Sequence, residues 1–168
     1  SFPEYMDYLG TRRYALDIGA QIPHAALRNY VMGERGRAND PATHEDMSKM
    51  AALVEEALKA GAIGFSTSRT IGHRTMSGDP IPGTFAADEE VLELAAAMRR
   101  AGRGVFELIP GGTVGDLAVL GGEHTTLEQE VALMDKVSHV SQRPVTFTLV
   151  QNADHRSAWR DVLSRIEQ

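Results

Sequence analysis

Gly61-Ala62-Ile63-Gly64-Phe65-Ser66-Thr67-Ser68, running on through Arg69-Thr70-Ile71-Gly72-His73-Arg74 to Asp79-Pro80-Ile81-Pro82-Gly83, is the stretch on which the fold is read. Gly61 ends a helix, because a residue without a Cβ takes the backbone turn that stops one. A short apolar strand follows from Ile63 to Ser68. The chain then wanders from Arg69 to Ala87 before the next helical pattern, carrying two arginines, a histidine and an aspartate among glycines and prolines. Loops between a strand and a helix usually take about two to six residues. A longer loop at this place marks a binding site built on a rigid scaffold.

The same strand-then-helix order recurs on both sides. Phe2 to Arg13 reads as a short helix and Tyr14 to Ile22 as a strand. An irregular connection from Pro23 to Asp40 includes a short helix over Ala25 to Met32. Thr43 and Asp46 form a capping box, and Met47, Met50, Ala51, Val54, Ala57 and Leu58 keep helical spacing up to Gly61. After the long loop a helix spans Asp88 to Ala101, with Val91, Leu92, Ala95 and Met98 as its apolar face. Gly104 to Ile109 is a third strand, followed by the Gly-rich loop Pro110 to Glu123. The helix from Thr126 has Thr125 and Glu128 as its expected capping box. Pro144 to Gln151 is a fourth strand, and a last helix carries Trp159, Val162, Leu163 and Ile166 on one side. Strands alternating with amphipathic helices give βαβ units and a parallel sheet. The predicted fold is therefore α/β, four consecutive βα units resembling half of a (β/α)8 barrel, with residues 1–168 as a single partial barrel domain. The strands are apolar at both parities near their centres, which predicts cover on both faces.

Composition narrows the function. The net charge of -6 over 168 residues argues against a general nucleic-acid or membrane-surface binder. With no cysteine there is no disulfide, no thiol nucleophile and no cysteine-based zinc site. No apolar run reaches the length of a membrane span, and the first residues lack a signal-peptide pattern, so a cytoplasmic location is expected. The six histidines are scattered, with no His-x-His and no His-Glu-x-x-His, so no metal ligand set is read in this segment.

Ligands of parallel α/β folds meet the carboxyl ends of the strands. That rule selects Gln21, His24 and Arg28 after the first strand, then Ser66, Ser68, Arg69, His73 and Arg74 after the second. It adds Glu107 and Asp116 in and after the third strand, and Gln151, Asn152 and His155 at the end of the fourth. Arg69, His73 and Arg74 can grip a carboxylate, since guanidinium groups bind it bidentately; the other reading has the arginines pin the loop to backbone carbonyls. His24 is a substrate contact or a loop hydrogen bond. Glu107 lies inside an apolar strand, where a carboxylate is costly to bury alone. It faces the barrel interior as an acid/base or cation partner, or an arginine holds it as structure. Glu107 is taken as the catalytic candidate, and His24, Arg69, His73, Arg74 and Gln151 as substrate-binding candidates.

Several strings then stand together in order. Phe2-Pro3-Glu4-Tyr5, His24-x-x-Leu27-Arg28, Val31-Met32-Gly33, Ala42-Thr43 and Gly61-Ala62-Ile63-Gly64-Phe65-Ser66-Thr67 resemble the N-acyl-D-amino-acid deacylase (D-aminoacylase) branch of the metal-dependent amidohydrolases. The resemblance implies a metal-bearing (β/α)8 barrel that hydrolyses the amide of N-acyl-D-amino acids with a zinc-activated water. It also implies an internal segment of a longer protein, placed between the strand bearing the family's His-x-His and the strand bearing its catalytic aspartate. The small-molecule substrate would then be shared with the remainder of the barrel or with a second copy of this chain. The chain departs from the family where typical members have Gly-Leu-x-Tyr-x-Pro-Gly, Thr/Ser-His-Met/Leu-Arg and Ser-His-His-Lys. Here stand Ser68 to Thr75, Val105-Phe106-Glu107-Leu108-Ile109 and Thr148-Leu149-Val150-Gln151. It thus resembles a divergent member, with zinc belonging to the longer protein and none expected on this segment alone. The alternative expectation is a catalytically inactive half-barrel that binds a small molecule or associates with itself through its open sheet edges.

Overall fold

The computed structural model describes residues 1–112, 118–151 and 156–166. Its centre is a four-stranded parallel sheet in the order β1-β2-β3-β4: Gln21–Pro23, Gly64–Ser68, Val105–Ile109 and Val145–Phe147. Helices α1 (Phe2–Gly10), α2 (His24–Met32), α3 (Glu34–Arg37), α4 (His44–Lys59), α5 (Asp88–Ala101), α6 (Leu127–Ser141) and α7 (Ala158–Ile166) accompany it along the chain. Strand order equals chain order, and α4, α5 and α6 each lie between consecutive strands, which is the succession of a βα barrel.

The register explains where the strands stop. Gln21 pairs with Gly64, the first residue of β2, so the residues before Gln21 lie beyond the end of β2. Tyr14, Leu16 and Ile18 therefore stay exposed, Leu16 at 81%, and the expected strand from Tyr14 shrinks to Gln21–Pro23. At the other edge Leu108 pairs with Phe147, and β3 ends one residue later, so β4 loses its partner well before Gln151. Gly64 is needed for the close fit of β2 on β3: a Cβ there would stand 2.1 Å from the carbonyl oxygen of Val105.

Burial in β2 and β3 alternates. Phe65, Thr67, Phe106 and Leu108 are buried, and the rings of Phe65 and Phe106 lie 5.1 Å apart. Phe65, Phe106 and Leu108 form one core with Val54, Leu58, Leu94, Met98, Leu133 and Val137 of the covering helices. The opposite face is only part-covered. It carries Ser66, Ser68, Glu107 and Ile109, half-buried, and Thr146, exposed. Two-sided cover of all four strands, as the apolar pattern suggested, is not present among the described residues.

A repeated device fixes the helices. The first turns of α4, α5 and α6 each bury a carboxylate four residues before a core side chain: Asp46 before Met50, Glu90 before Leu94, Glu130 before Met134. An arginine meets each one. Arg35 Nη2 donates to both Asp46 oxygens at 2.9 Å, Arg28 Nη1 donates to Glu90, and Arg69 Nε donates to Glu130 Oε1 at 2.9 Å. Negative charge in a first turn also suits the helix dipole. Thr43 and Asp46 make the expected capping box, whereas α6 is capped one residue later than expected, by Thr126 with Gln129. Thr125 turns its hydroxyl inward instead, against Gly111.

Candidate functional site

His24 and Arg69 occupy equivalent places, each the residue directly after its strand. Both point to the helix side of the sheet. His24 is 1% exposed. Its Nε2 lies 2.8 Å from Glu90 Oε1 and its Nδ1 lies 2.9 Å from Thr67 Oγ1. Burial pushes the imidazole below the usual histidine range, so it is neutral at pH 7. The carboxylate of Glu90 only accepts, which places the proton on Nε2 and leaves Nδ1 to accept from the Thr67 hydroxyl. Burial alone would raise Glu90, but the bond from His24 and the charge of Arg28 outweigh it and hold the carboxyl below its ordinary range. Gly83 crosses the ring so closely that a Cβ would stand 3.0 Å from His24 Nδ1, with a φ of +96° that also favours glycine.

Arg69 is 4% exposed. Its Nε donates to Glu130 and its Nη1 to the carbonyl of Ala86 at 2.6 Å. Arg74 spends its guanidinium on three carbonyls: Ile71 at 3.1 Å, Gly78 at 2.7 Å and Leu120 at 3.3 Å. Neither arginine lines the cavity at the strand ends. Asn39 supports the same loop, donating to the carbonyls of Pro80 and Ile81 and accepting from Gly83 N at 2.8 Å. Glu123 accepts from Ile71 N at 3.1 Å and from the Thr70 hydroxyl. The long loop is thus a built structure, with its tip closed by a bridge between Arg74 and Pro80.

At the carboxyl ends of β1, β2 and β3 lies a cavity of about 200 Å³. Ser66, Ser68, His73, Glu107 and Ile109 line it, and His24 reaches its wall. Ser66 and Glu107 are register partners, side by side on the part-open face. Ser68 Oγ is 2.9 Å from His73 Nδ1, which leaves Nε2 of His73 as its remaining ring nitrogen. Glu107 is half-buried and makes no hydrogen bond or ion pair with another described residue. Gln151 is exposed beyond β4 and does not line this cavity. Asp116, Asn152 and His155 lie outside the described residues. A larger cavity, about 410 Å³, sits between the first turns of α4 and α5 beside Arg28, Asn39 and Phe85. It lies on the helix side, away from Ser66, Ser68 and Glu107, so the strand-end cavity is the candidate site. Among the described residues no group of three or more His, Cys, Asp or Glu is placed to hold a metal ion, whereas a catalytic zinc takes about three such ligands.

The residues missed in the sequence were Glu90 and Glu130. Each stands on the stripe of its own helix, four residues before Leu94 or Met134, and a carboxylate in an apolar stripe was the available signal.

The parallel βα arrangement is that of part of a βα barrel, and residues 1–167 match the model of the amidohydrolase family (Amidohydro_3); the chain belongs to that family. Within it, the chain is 32% identical over 101 residues to the D-aminoacylase of Alcaligenes xylosoxydans xylosoxydans, covering 60% of this chain and 18% of that protein. It is 31% identical over 103 residues to an N-acyl-D-aspartate deacylase of the same organism, covering 61% and 18%. The chain therefore spans less than a fifth of these relatives. A crystal structure of D-aminoacylase superimposes with a TM-score of 0.73 at 23% identity, over 99% of this chain and 31% of that one. N-acyl-D-glutamate deacylase from Bordetella bronchiseptica, solved with zinc and a phosphonate inhibitor, gives 0.69 at 21% over the same shares. A D-aminoacylase variant was solved with CuCl2, so metal accompanies this fold in its solved relatives. No helix among the described residues is long and apolar enough to cross a membrane.

Proposed function

We propose that this segment supplies part of the active-site wall of an enzyme that hydrolyses the C–N amide bond of an N-acyl amino acid with a metal-activated water, the metal ligands lying largely outside this segment. The reading treats residues 1–168 as one partial barrel whose free edges, at β1 and β4, meet the remaining strands or a second copy. The observation that carries it is Glu107, a carboxylate in the middle of β3 on the part-open face of the sheet, lining the strand-end cavity with no protein partner among the described residues. Structural carboxylates of this chain, Asp46, Glu90 and Glu130, each have an arginine. Glu107 is therefore assigned to the substrate, where it takes up or returns a proton at the reacting amide. His73, fixed through Nδ1 by Ser68, offers Nε2 as a substrate hydrogen bond. His24, Arg69 and Arg74 hold the loops that shape the cavity, and Gln151, exposed beyond β4, stands apart from it.

The test is amine release from a panel of N-acyl-D- and N-acyl-L-amino acids by the full-length protein. Glu107→Gln is expected to lower kcat/KM by about a hundredfold or more, the scale of general acid–base catalysis. Full activity in that variant would remove Glu107 from the chemistry.

A further inference from the structure

The strand-end cavity has an unusual charge balance for a site that must recognise an acylated amino acid. The one acidic side chain in its lining is Glu107. Ser66 and Ser68 add neutral hydroxyls. Of its two histidines, His24 is buried and committed to Glu90 and Thr67, and His73 is tied through Nδ1 to Ser68. No lysine or arginine among the described residues lines it. The two arginines nearest in sequence are consumed, Arg69 by Glu130 and the Ala86 carbonyl, Arg74 by three loop carbonyls. The segments 113–117, 152–155 and 167–168 contain no lysine or arginine either. A carboxylate placed here would face Glu107 with no countercharge from this chain, and like charges at short range repel strongly. A protonated amine would meet a half-buried carboxylate that has no other partner, and charge-assisted hydrogen bonds of this kind are among the stronger ones.

We infer that the cavity formed by Ser66, Ser68, His73 and Glu107 is a subsite for an ammonium group of the substrate or product, with Glu107 as its anchor, and not the pocket for the substrate's carboxylate. This deepens the reading of Glu107 as a substrate-facing group and rests on it. Two sources share that chemistry: the amine released when the amide is cleaved, and a basic side chain on the amino acid.

The test measures binding without turnover, so absence of amide hydrolysis would leave it intact. Calorimetric titration of the full-length protein with n-butylammonium chloride and with sodium butyrate gives the comparison. Butylammonium is expected to bind, and to bind about tenfold more weakly to Glu107→Gln, an effect of about 1.4 kcal/mol, while Glu107→Asp retains most of the affinity. Butyrate is expected not to bind wild type measurably. Butyrate binding that is unchanged or strengthened by Glu107→Gln would overturn the assignment, as would the failure of butylammonium to bind. The wild-type comparison of the two probes needs no variant and stands if Glu107→Gln folds poorly. Hydrolysis of N-acetyl-lysine against N-acetyl-norleucine separates the sources. A tenfold preference for the lysine derivative indicates the side chain, and equal kcat/KM indicates the released amine.

Discussion

Replacing Glu90 by leucine tests the argument that buried ion pairs hold the site loops. Glu90 is 2% exposed and Arg28 is 1% exposed. Arg28 Nη1 lies 2.7 Å from Glu90 Oε1, and His24 Nε2 donates to the same oxygen at 2.8 Å. Glu90→Leu leaves the Arg28 charge buried with only the Asp40 carbonyl as a hydrogen-bond acceptor, and strands the His24 proton. Removing one partner of a buried pair costs about 3–5 kcal/mol. Against a total stability of about 5–15 kcal/mol this is a large fraction. With a urea dependence of about 2 kcal/mol per molar, the unfolding midpoint should fall by about 2 M. The double variant Arg28→Met with Glu90→Leu removes both charges together. It should recover most of the loss, leaving about 1–3 kcal/mol for the unpaired His24 proton. Urea unfolding followed by far-UV circular dichroism measures wild type, Glu90→Leu, Arg28→Met and the double variant. A loss under about 1 kcal/mol for Glu90→Leu, or a double variant as unstable as the two single losses added, would refute the reasoning.

Acid should weaken the fold in two stages. His24 sits below its ordinary pKa because it is buried, so its stabilising neutral form is matched by the unfolded chain only above about pH 6.5. As the pH drops below that value the unfolded state takes up a proton that the folded state does not, and stability falls. Glu90, held low, contributes stability above its ordinary value of about 4.3, lost as the pH falls through its folded value. Melting temperature against pH for wild type and His24→Gln should show a smaller upper stage in the variant, the remainder coming from His124, which burial also holds below the usual histidine range. Gly64→Ala should destabilise by about 1–3 kcal/mol, because the added Cβ meets backbone at Val105 that cannot move aside. Gly10→Ala, where nothing lies within 4 Å, should be neutral or better; equal losses at both positions would show that the β2–β3 contact is not the cause. Asn39→Ala should release the loop around Gly83, read as faster amide exchange at Gly83, whose N–H it now holds. Unchanged exchange at that amide would remove Asn39 as its anchor.

Periodicity alone delivered the four βα units and the placing of the candidate site at the strand ends, because apolar spacing and helix caps are local properties. Strand lengths were not local. Tyr14, Leu16 and Ile18 have a strand's alternation, yet the β1–β2 register leaves them beyond the end of their neighbour. Arg69 and Arg74 illustrate the same limit at the site. Nothing near them in sequence says that Glu130, 61 residues away, or Leu120, 46 residues away, would take up their guanidiniums. Glu107 was legible as a carboxylate in an apolar strand. What the strand pattern could not state was that no arginine would reach it, since that depends on which loops fold over the sheet and on which side. The chain's order of residues thus determined the architecture and the family, through spacing and local motif. Only the tertiary structure decided which charges are spent on holding the loops and that Glu107 lines the strand-end cavity without a partner among the described residues, because charge pairing follows distance in space.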